Sequence, residues 1–344
     1  MTDLLISGAV ALAVALLGTP LLITWLRSRG IGQQIREDGP ERHLTKAGTP
    51  TMGGVAIIGA GVIGYLAAHL DFPLKFTTRG IVAVLAICAT AGVGLADDWI
   101  KVHRQRSLGL NKRAKIAGQL AVAVAFAVVC VTWLNVDTHL SFTRYNSIGL
   151  QLGKVGWVIF AVIVIVGCSN AVNLTDGLDG LAAGSSIFSF VAFMVIGFYE
   201  LRHFPIYRNP APLDEAALAA AMLGSCAGFL WFNAAPARIF MGDTGSLGIG
   251  AAIGVLALLE NLDLLLPIIG GLFVIETLSV IVQVASFRLA GRRVLRMAPI
   301  HHHFELLGWP ETTVIIRFWI LAGLATAVAL GAFYADFLSR GGNG

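Results

Sequence analysis

Apolar runs of about 20 residues alternate with short polar segments along the whole chain. A helix rises about 1.5 Å per residue, so roughly 20 apolar residues cross a hydrocarbon core of about 30 Å. The pattern predicts ten transmembrane helices, over 4–25, 53–70, 80–97, 116–134, 155–172, 181–199, 216–233, 244–259, 264–286 and 314–338. An even number of crossings puts both termini on one side. Two segments follow other rhythms. Residues 139–152 alternate in polarity around Asn146-Ser147, which predicts a short β-hairpin. Residues 287–297 extend the ninth run with a basic, amphipathic face, which predicts that this helix continues past the membrane. No soluble domain or internal repeat interrupts the series, so residues 1–344 read as one integral membrane domain.

Composition agrees. Of 344 residues, 56% are hydrophobic and 13% charged, against roughly 25% charged in ordinary soluble domains. Mean hydropathy is +0.79. These values exclude a soluble globular class. Met1-Thr2-Asp3 lacks the basic start of a cleavable signal, so the first run is expected to stay in the membrane. The four cysteines fall inside predicted spans and read as small packing residues. The net charge of +4 matters less than its placement. Loops 26–52, 98–115, 234–243 and 287–313 hold 16 Lys and Arg; the loops on the other side hold 7. This bias puts the first set in the cytoplasm and both termini outside. Basic residues confined to short loops give nucleic acid no surface.

The costly polar residues gather on that cytoplasmic side. An Asp at the centre of a span costs about 2.5–3.5 kcal/mol on insertion scales. Yet Asp97, Asp98, Asn173, Asp176, Asp179, Asn233, Asp243 and His301-His302-His303 come from four separate span ends or loops, all facing one way. Nothing comparable is expected outside. Asp97-Asp98 ends span three, as a solvated helix end or as a cation or proton site. Asp176 and Asp179 are spaced to share one side of a helical turn, and glycines beside them allow close backbone approach. Asp243 stands where a helix begins, as a simple N-cap or beside exposed amides that suit a phosphate. Three adjacent histidines cannot all point one way, and a zinc site would want other spacing; donors to a phosphate or sugar fit better. Glu276, near mid-membrane, needs a partner or a cavity.

Several carboxylates, without a Cys nucleophile or a Ser–His–Asp set, suit a metal-held anion. Mg²⁺ takes oxygen ligands and bridges carboxylates to phosphates, and phosphoryl transfer needs positioning and charge neutralisation. Lys46, Lys101 and Lys115 lie on the same face to neutralise phosphate oxygens. A membrane setting suggests that one substrate is a lipid.

Five stretches in order carry a resemblance that runs nearly end to end: Lys46-Ala-Gly-Thr-Pro-Thr-Met-Gly-Gly54, Asp97-Asp-Trp-Ile-Lys101, Asn173-Leu-Thr-Asp-Gly-Leu-Asp-Gly180, Phe240-Met-Gly-Asp-Thr-Gly-Ser246 and Met297-Ala-Pro-Ile-His-His-His-Phe-Glu305. The chain resembles the phospho-N-acetylmuramoyl-pentapeptide transferase family, a branch of the polyprenyl-phosphate N-acetylhexosamine-1-phosphate transferases. Ala96 and Trp99 depart from the usual flanks of the acid pair and touch packing more than chemistry. The resemblance implies an all-α protein of ten helices in the bacterial cytoplasmic membrane, with periplasmic termini. It implies a homodimer that turns UDP-N-acetylmuramoyl-pentapeptide and undecaprenyl phosphate into lipid I and UMP. By position, it implies that Asp243 is the main Mg²⁺ ligand and that Asp97 or Asp98 deprotonates or orients the lipid phosphate. It implies a uridine pocket from Phe240 and Gly177-Leu178-Asp179. Asn173, Asp176, Asn233, Gln283 and the histidines would line the pyrophosphate and sugar side. Direct attack by the lipid phosphate is favoured over a phospho-aspartate route, though the sequence admits both. The rivals are a sister enzyme that transfers N-acetylglucosamine 1-phosphate, a cation-coupled transporter, and a CDP-alcohol phosphotransferase, whose longer Asp pattern is absent.

Overall fold

The computed structural model describes residues 1–32, 48–70, 74–104 and 109–341; Lys46 lies outside them. Ten of its helices make the main bundle: α1 (Thr2–Ser28), α2 (Gly54–Ala67), α3 (Thr78–His103), α4 (Lys112–Thr132), α5 (Gly153–Thr175), α6 (Leu181–Arg202), α8 (Pro212–Asn233), α9 (Gly242–Leu259), α11 (Gly271–Ala290) and α13 (Glu311–Gly341). Three short ones, α7 (Phe204–Tyr207), α10 (Leu266–Ile269) and α12 (Ile300–Leu306), sit between them.

Among the described residues nine helices are long and apolar enough to cross a membrane. The remaining expected span, α2, has 14 residues, which reach about 21 Å. It still joins the two ends of the bundle. Its first residue, Gly54, lies so close to Thr244 and Gly245 at the start of α9 that a Cβ there would collide with backbone. Near its other end Tyr65 packs on Phe76, just ahead of α3, and His69 Nε2 lies 3.1 Å from Asp214 at the start of α8. Helix α3 runs the opposite way between the same two levels.

Helix α9 is the axis. Every residue from Asp243 to Leu259 is buried, which its apolar, Gly-rich sequence permits on all sides. Gly250 meets the backbone of Cys168 and Ser169 on α5. The outer helices turn Leu17, Leu21, Val155, Ile163 and Val328 outward, where a bilayer would cover them. Leu4 of α1 packs on Ala216, Ala217 and Ala220 of α8, and Phe333 and Phe337 of α13 pack on Tyr199 of α6. The start of α1 and the stretch of α13 around Phe333 and Phe337 therefore lie at the end of the bundle opposite Asp97 and Asp243. At the acid end, α1, α2 and α3 leave an apolar groove of about 700 Å³ lined by residues including Trp25, Met52, Leu95 and Trp99.

Three expectations change. No strand forms among the described residues; residues 139–152 keep one antiparallel bridge, His139 to Gln151. The reason is competition for donors. The Ser141 amide donates to Asp263 Oδ2 (3.0 Å) and the Phe142 amide to Ser147 Oγ (2.6 Å), so side chains take what a ladder would need. Nor does α11 run on through 287–297. Gly291 at φ +65° ends it, and Ser286 Oγ donates to the Arg292 carbonyl at 2.9 Å to hold the chain as it turns back. The far end of the bundle, expected to be bare of polar clusters, holds one. Asn209 Nδ2 donates to Glu200 (2.7 Å) and Glu215 (2.6 Å), and Arg79 lies 3.6 Å from Glu215. These groups stand at the junctions of spans, so sequence order scatters them. The four cysteines are free, as expected.

Candidate active site

The start of α9 is assembled by backbone from far away. The Phe240 amide donates to the Pro50 carbonyl, and the Gly53 and Gly54 amides donate to the Phe240 and Met241 carbonyls, each at 2.8 Å. The first and fourth motifs are thus clasped together. Gly242 then takes φ +68°, and a Cβ there would stand 2.6 Å from Asp98 Oδ2. Only glycine lets the turn pass so near that carboxylate.

Asp98 caps α9. Its Oδ1 accepts the Asp243 amide at 3.0 Å; its Oδ2 accepts the Thr244 amide at 2.9 Å and the Thr244 hydroxyl at 2.7 Å. A carboxylate here also faces the positive end of the helix dipole. Asp243 is consequently not the N-cap that its position suggested; another helix supplies the cap, and the Asp243 side chain is left for other partners. Its Oδ1 accepts Asn173 Nδ2 at 2.6 Å, and its Oδ2 pairs with Lys101 (2.6 Å) and Lys115 (2.8 Å). Lys101 also pairs with Asp97 at 2.6 Å and lies 3.4 Å from Asp98. Asp97 Oδ1 accepts the Leu110 amide at 2.8 Å.

Asp97, Asp98 and Asp243 each offer an oxygen, and these lie within 4.8 Å of one another. Three buried carboxylates at this spacing fit a hard divalent cation such as Mg²⁺. Two ammonium groups stand beside them, so the site has both the donors for a metal and the charge to receive phosphate. Asp176 lies just past α5. Burial, and then the charges of Asp243, Asp98 and Asp179, push its carboxyl well above the usual range.

The remaining predicted residues are distributed as follows. Asp179 Oδ2 accepts the Ala237 amide at 2.9 Å, and its own amide donates to Glu311 at 3.1 Å. Leu178 is buried in an apolar cluster with Leu181, Leu272 and Val314. Asn233 is buried and donates to the Ile239 carbonyl at 2.9 Å, holding the approach to Phe240. Gln283 closes the 294–295 loop: its Oε1 accepts both amides and its Nε2 donates to the Leu295 carbonyl. The histidines point three ways. His301 is enclosed beside Glu276, His302 Nδ1 lies 2.7 Å from Glu305, and His303 Nδ1 accepts the Arg296 amide at 3.1 Å. Sequence reading gave no role to Thr244 or Ser246. Thr244 binds Asp98, and Ser246 accepts Asn173 Nδ2 at 2.8 Å; the signal for Ser246 was its spacing of three from Asp243, which places both on one helix face.

Comparison with known proteins now decides the lineage. Residues 80–261 match the family model of glycosyl transferase family 4. Residues 46–58 match phospho-N-acetylmuramoyl-pentapeptide-transferase signature 1. A phospho-N-acetylmuramoyl-pentapeptide-transferase of Frankia alni is 53% identical over 99% of both chains. Those of Thermobifida fusca and Streptomyces griseus are 48% and 46% identical, each covering 99% of this chain and 100% of their own. The chain belongs to the phospho-N-acetylmuramoyl-pentapeptide transferase family. Membership gives the five motifs a common context, because the transferase signature at 46–58 is the stretch whose backbone clasps Phe240 and Met241 at the start of α9.

Proposed function

We propose that this protein transfers phospho-N-acetylmuramoyl-pentapeptide from its UDP-linked form to undecaprenyl phosphate, giving lipid I and UMP for peptidoglycan synthesis. The carrying observation is identity of 46% to 53%, over nearly the whole chain, to transferases of that name. The convergence of Asp97, Asp98, Lys101, Lys115, Asn173 and Asp243 on one point supports the same reading. The protein works in the bacterial cytoplasmic membrane, with the acid end of the bundle in the cytoplasm and both termini in the periplasm. The excess of Lys and Arg in the loops at the acid end supports this orientation. The family resemblance supports a homodimer.

Asp243 would hold Mg²⁺, with Asp97 beside it, and the ion would supply charge neutralisation for the pyrophosphate. Lys101 and Lys115 bring positive charge to the meeting of two anionic substrates. Asn173 fixes Asp243. Asp97 orients the lipid phosphate; one of its oxygens is held by Leu110, which sets the angle of the other. An oxygen of the lipid phosphate attacks the sugar-linked phosphorus. The bond to the bridging oxygen breaks, and UMP leaves with that oxygen and its electron pair. The apolar groove beside Trp99 offers a lipid chain a place at this end of the bundle.

The test is UMP release by purified protein in detergent, with Mg²⁺ and both substrates. UMP should appear only when both are present. UMP release with UDP-N-acetylglucosamine in place of the muramoyl substrate, at an equal rate, would overturn the assignment.

A further inference from the structure

His301 has no solvent exposure, and neither has Glu276; His301 Nδ1 lies 3.1 Å from Glu276 Oε2. The other ring nitrogen, Nε2, lies against Gly177, where a Cβ would collide with it. A ring enclosed in this way presents no atom to a substrate. It joins three elements instead: Glu276 comes from α11, His301 from α12 and Gly177 from the turn after α5. Ser279, three residues beyond Glu276, fixes the start of α12. Its hydroxyl accepts the Ile300 amide at 3.0 Å and donates to the Glu276 carbonyl at 2.6 Å. Beyond Gly177, Leu178 is anchored in the apolar cluster with Leu272 and Val314.

A carboxylate buried among apolar helices is costly without a polar partner. Glu276 has the His301 ring. The 3.1 Å approach is an ion-pair contact without hydrogen-bond alignment. A carboxylate this close still favours, by its charge, the ring forms that carry a proton at Nδ1, and it restrains the plane of the ring. The plane in turn decides how the Nε2 edge meets Gly177. Gly177 is the hinge between Asp176 and Asp179, the two acids of the third motif.

We propose that Glu276 and His301 are a brace behind the Asp176–Asp179 turn. Glu276 is a positioning residue that acts through His301, and His301 holds the turn without touching the nucleotide substrate. Any contact between the triple-histidine motif and substrate then falls to His302 and His303. The brace is read from geometry alone; only the kinetic arm of its test rests on the proposed transferase reaction.

Glu276→Gln keeps size and removes charge. In ¹⁵N-histidine spectra of the purified protein, His301 is identified by its loss in His301→Asn. Its Nδ1 should carry the proton in the parent protein, and that preference should fade in Glu276→Gln. UMP release is measured at a temperature where melting curves show every variant folded. Each single change should lower kcat/KM at least about tenfold, and the double variant should stay within about threefold of the worse single, because the second change cuts a link already cut. An Nδ1 without a proton in the parent, parental kcat/KM in Glu276→Gln, or losses that multiply in the double variant would each overturn the brace. A parent protein that releases no UMP defeats the transferase reading instead, and the spectra then decide the brace by themselves.

Discussion

Asp98 accepts three hydrogen bonds from the first turn of α9, whereas Asp97 accepts one and pairs with Lys101. Two adjacent carboxylates thus differ in what their loss should do. Asp98→Ala should lower stability by about 1–2 kcal/mol, as lost caps do, and activity should fall with it. Asp97→Asn keeps an acceptor for Leu110, so its melting temperature should hardly move while UMP release falls by at least about a hundredfold. Melting curves and turnover on the same samples check this; a reversed order would mean the two roles are exchanged. Asp243 allows a second prediction. Chelator should abolish UMP release, Mg²⁺ or Mn²⁺ should restore it, and Asp243→Asn should remove most activity while the protein stays folded. Near-parental turnover of Asp243→Asn at saturating Mg²⁺ would show that the metal is held elsewhere. The carboxylates of the site were visible in the sequence because they fall in the stretches 97–101, 173–180 and 240–246, which the loop charges put on one side. Their division of labour was not, because Asp98 and the amides it caps are 145 and 146 residues apart, and no local pattern joins them.

At the scale of the element, long apolar runs located all ten bundle helices, since length and hydropathy are summed over many residues. It overran where a single residue governs. The ninth run is divided at Gly270, which ends the short α10 and precedes α11, so α11 begins at Gly271, not near 264. The hairpin failed for a related reason: Asp263, the competitor for the Ser141 amide, is 122 residues away. Close approach of helices is likewise invisible in a hydropathy profile, yet it places the site. Gly54 and Gly59 lie on the same short helix. A side chain at Gly54 meets the backbone of α9, while one at Gly59 meets nothing within 4 Å. Gly54→Ala should therefore destabilise by about 1–3 kcal/mol, the usual cost of overpacking, and Gly59→Ala should be neutral or slightly stabilising through helix propensity. Thermal melting in detergent reads both, and equal effects would refute the close α2–α9 contact.

Across the whole molecule, the placement of Asp97, Asp98 and Asp243 together at one end of the bundle separates an enzyme that meets a soluble nucleotide from a transporter with a midplane site. Cysteines placed at His302, or at Arg104 at the end of α3, should react with impermeant reagents only from the cytoplasm. One at Asn146 should react from outside. These labels assume a cysteine-free parent that retains activity. Outside labelling at Arg104 would invert the molecule and remove the nucleotide's access to the site.

The same whole-molecule view bears on the route of transfer. Asp98 is occupied in capping, Asp243 is held by Asn173 and two lysines, and Asp97 pairs with Lys101. A carboxylate engaged with ammonium groups, or with a metal, is a weakened nucleophile. A lipid phosphate arriving from the bilayer brings a free oxygen of its own. Direct attack therefore predicts no reaction in the absence of lipid phosphate. The enzyme alone should neither release UMP from the UDP-linked substrate nor exchange labelled UMP into it. A phospho-aspartate route predicts both, because its first half needs no lipid. Lipid carried through purification would mimic exchange, so the preparation must be stripped and assayed for phosphate first. Vigorous exchange in stripped protein, lost in Asp97→Asn and retained in Asp98→Asn, would defeat direct attack and identify Asp97 as the nucleophile. Silence in that assay, with full turnover on adding undecaprenyl phosphate, would leave the lipid phosphate as the attacking group.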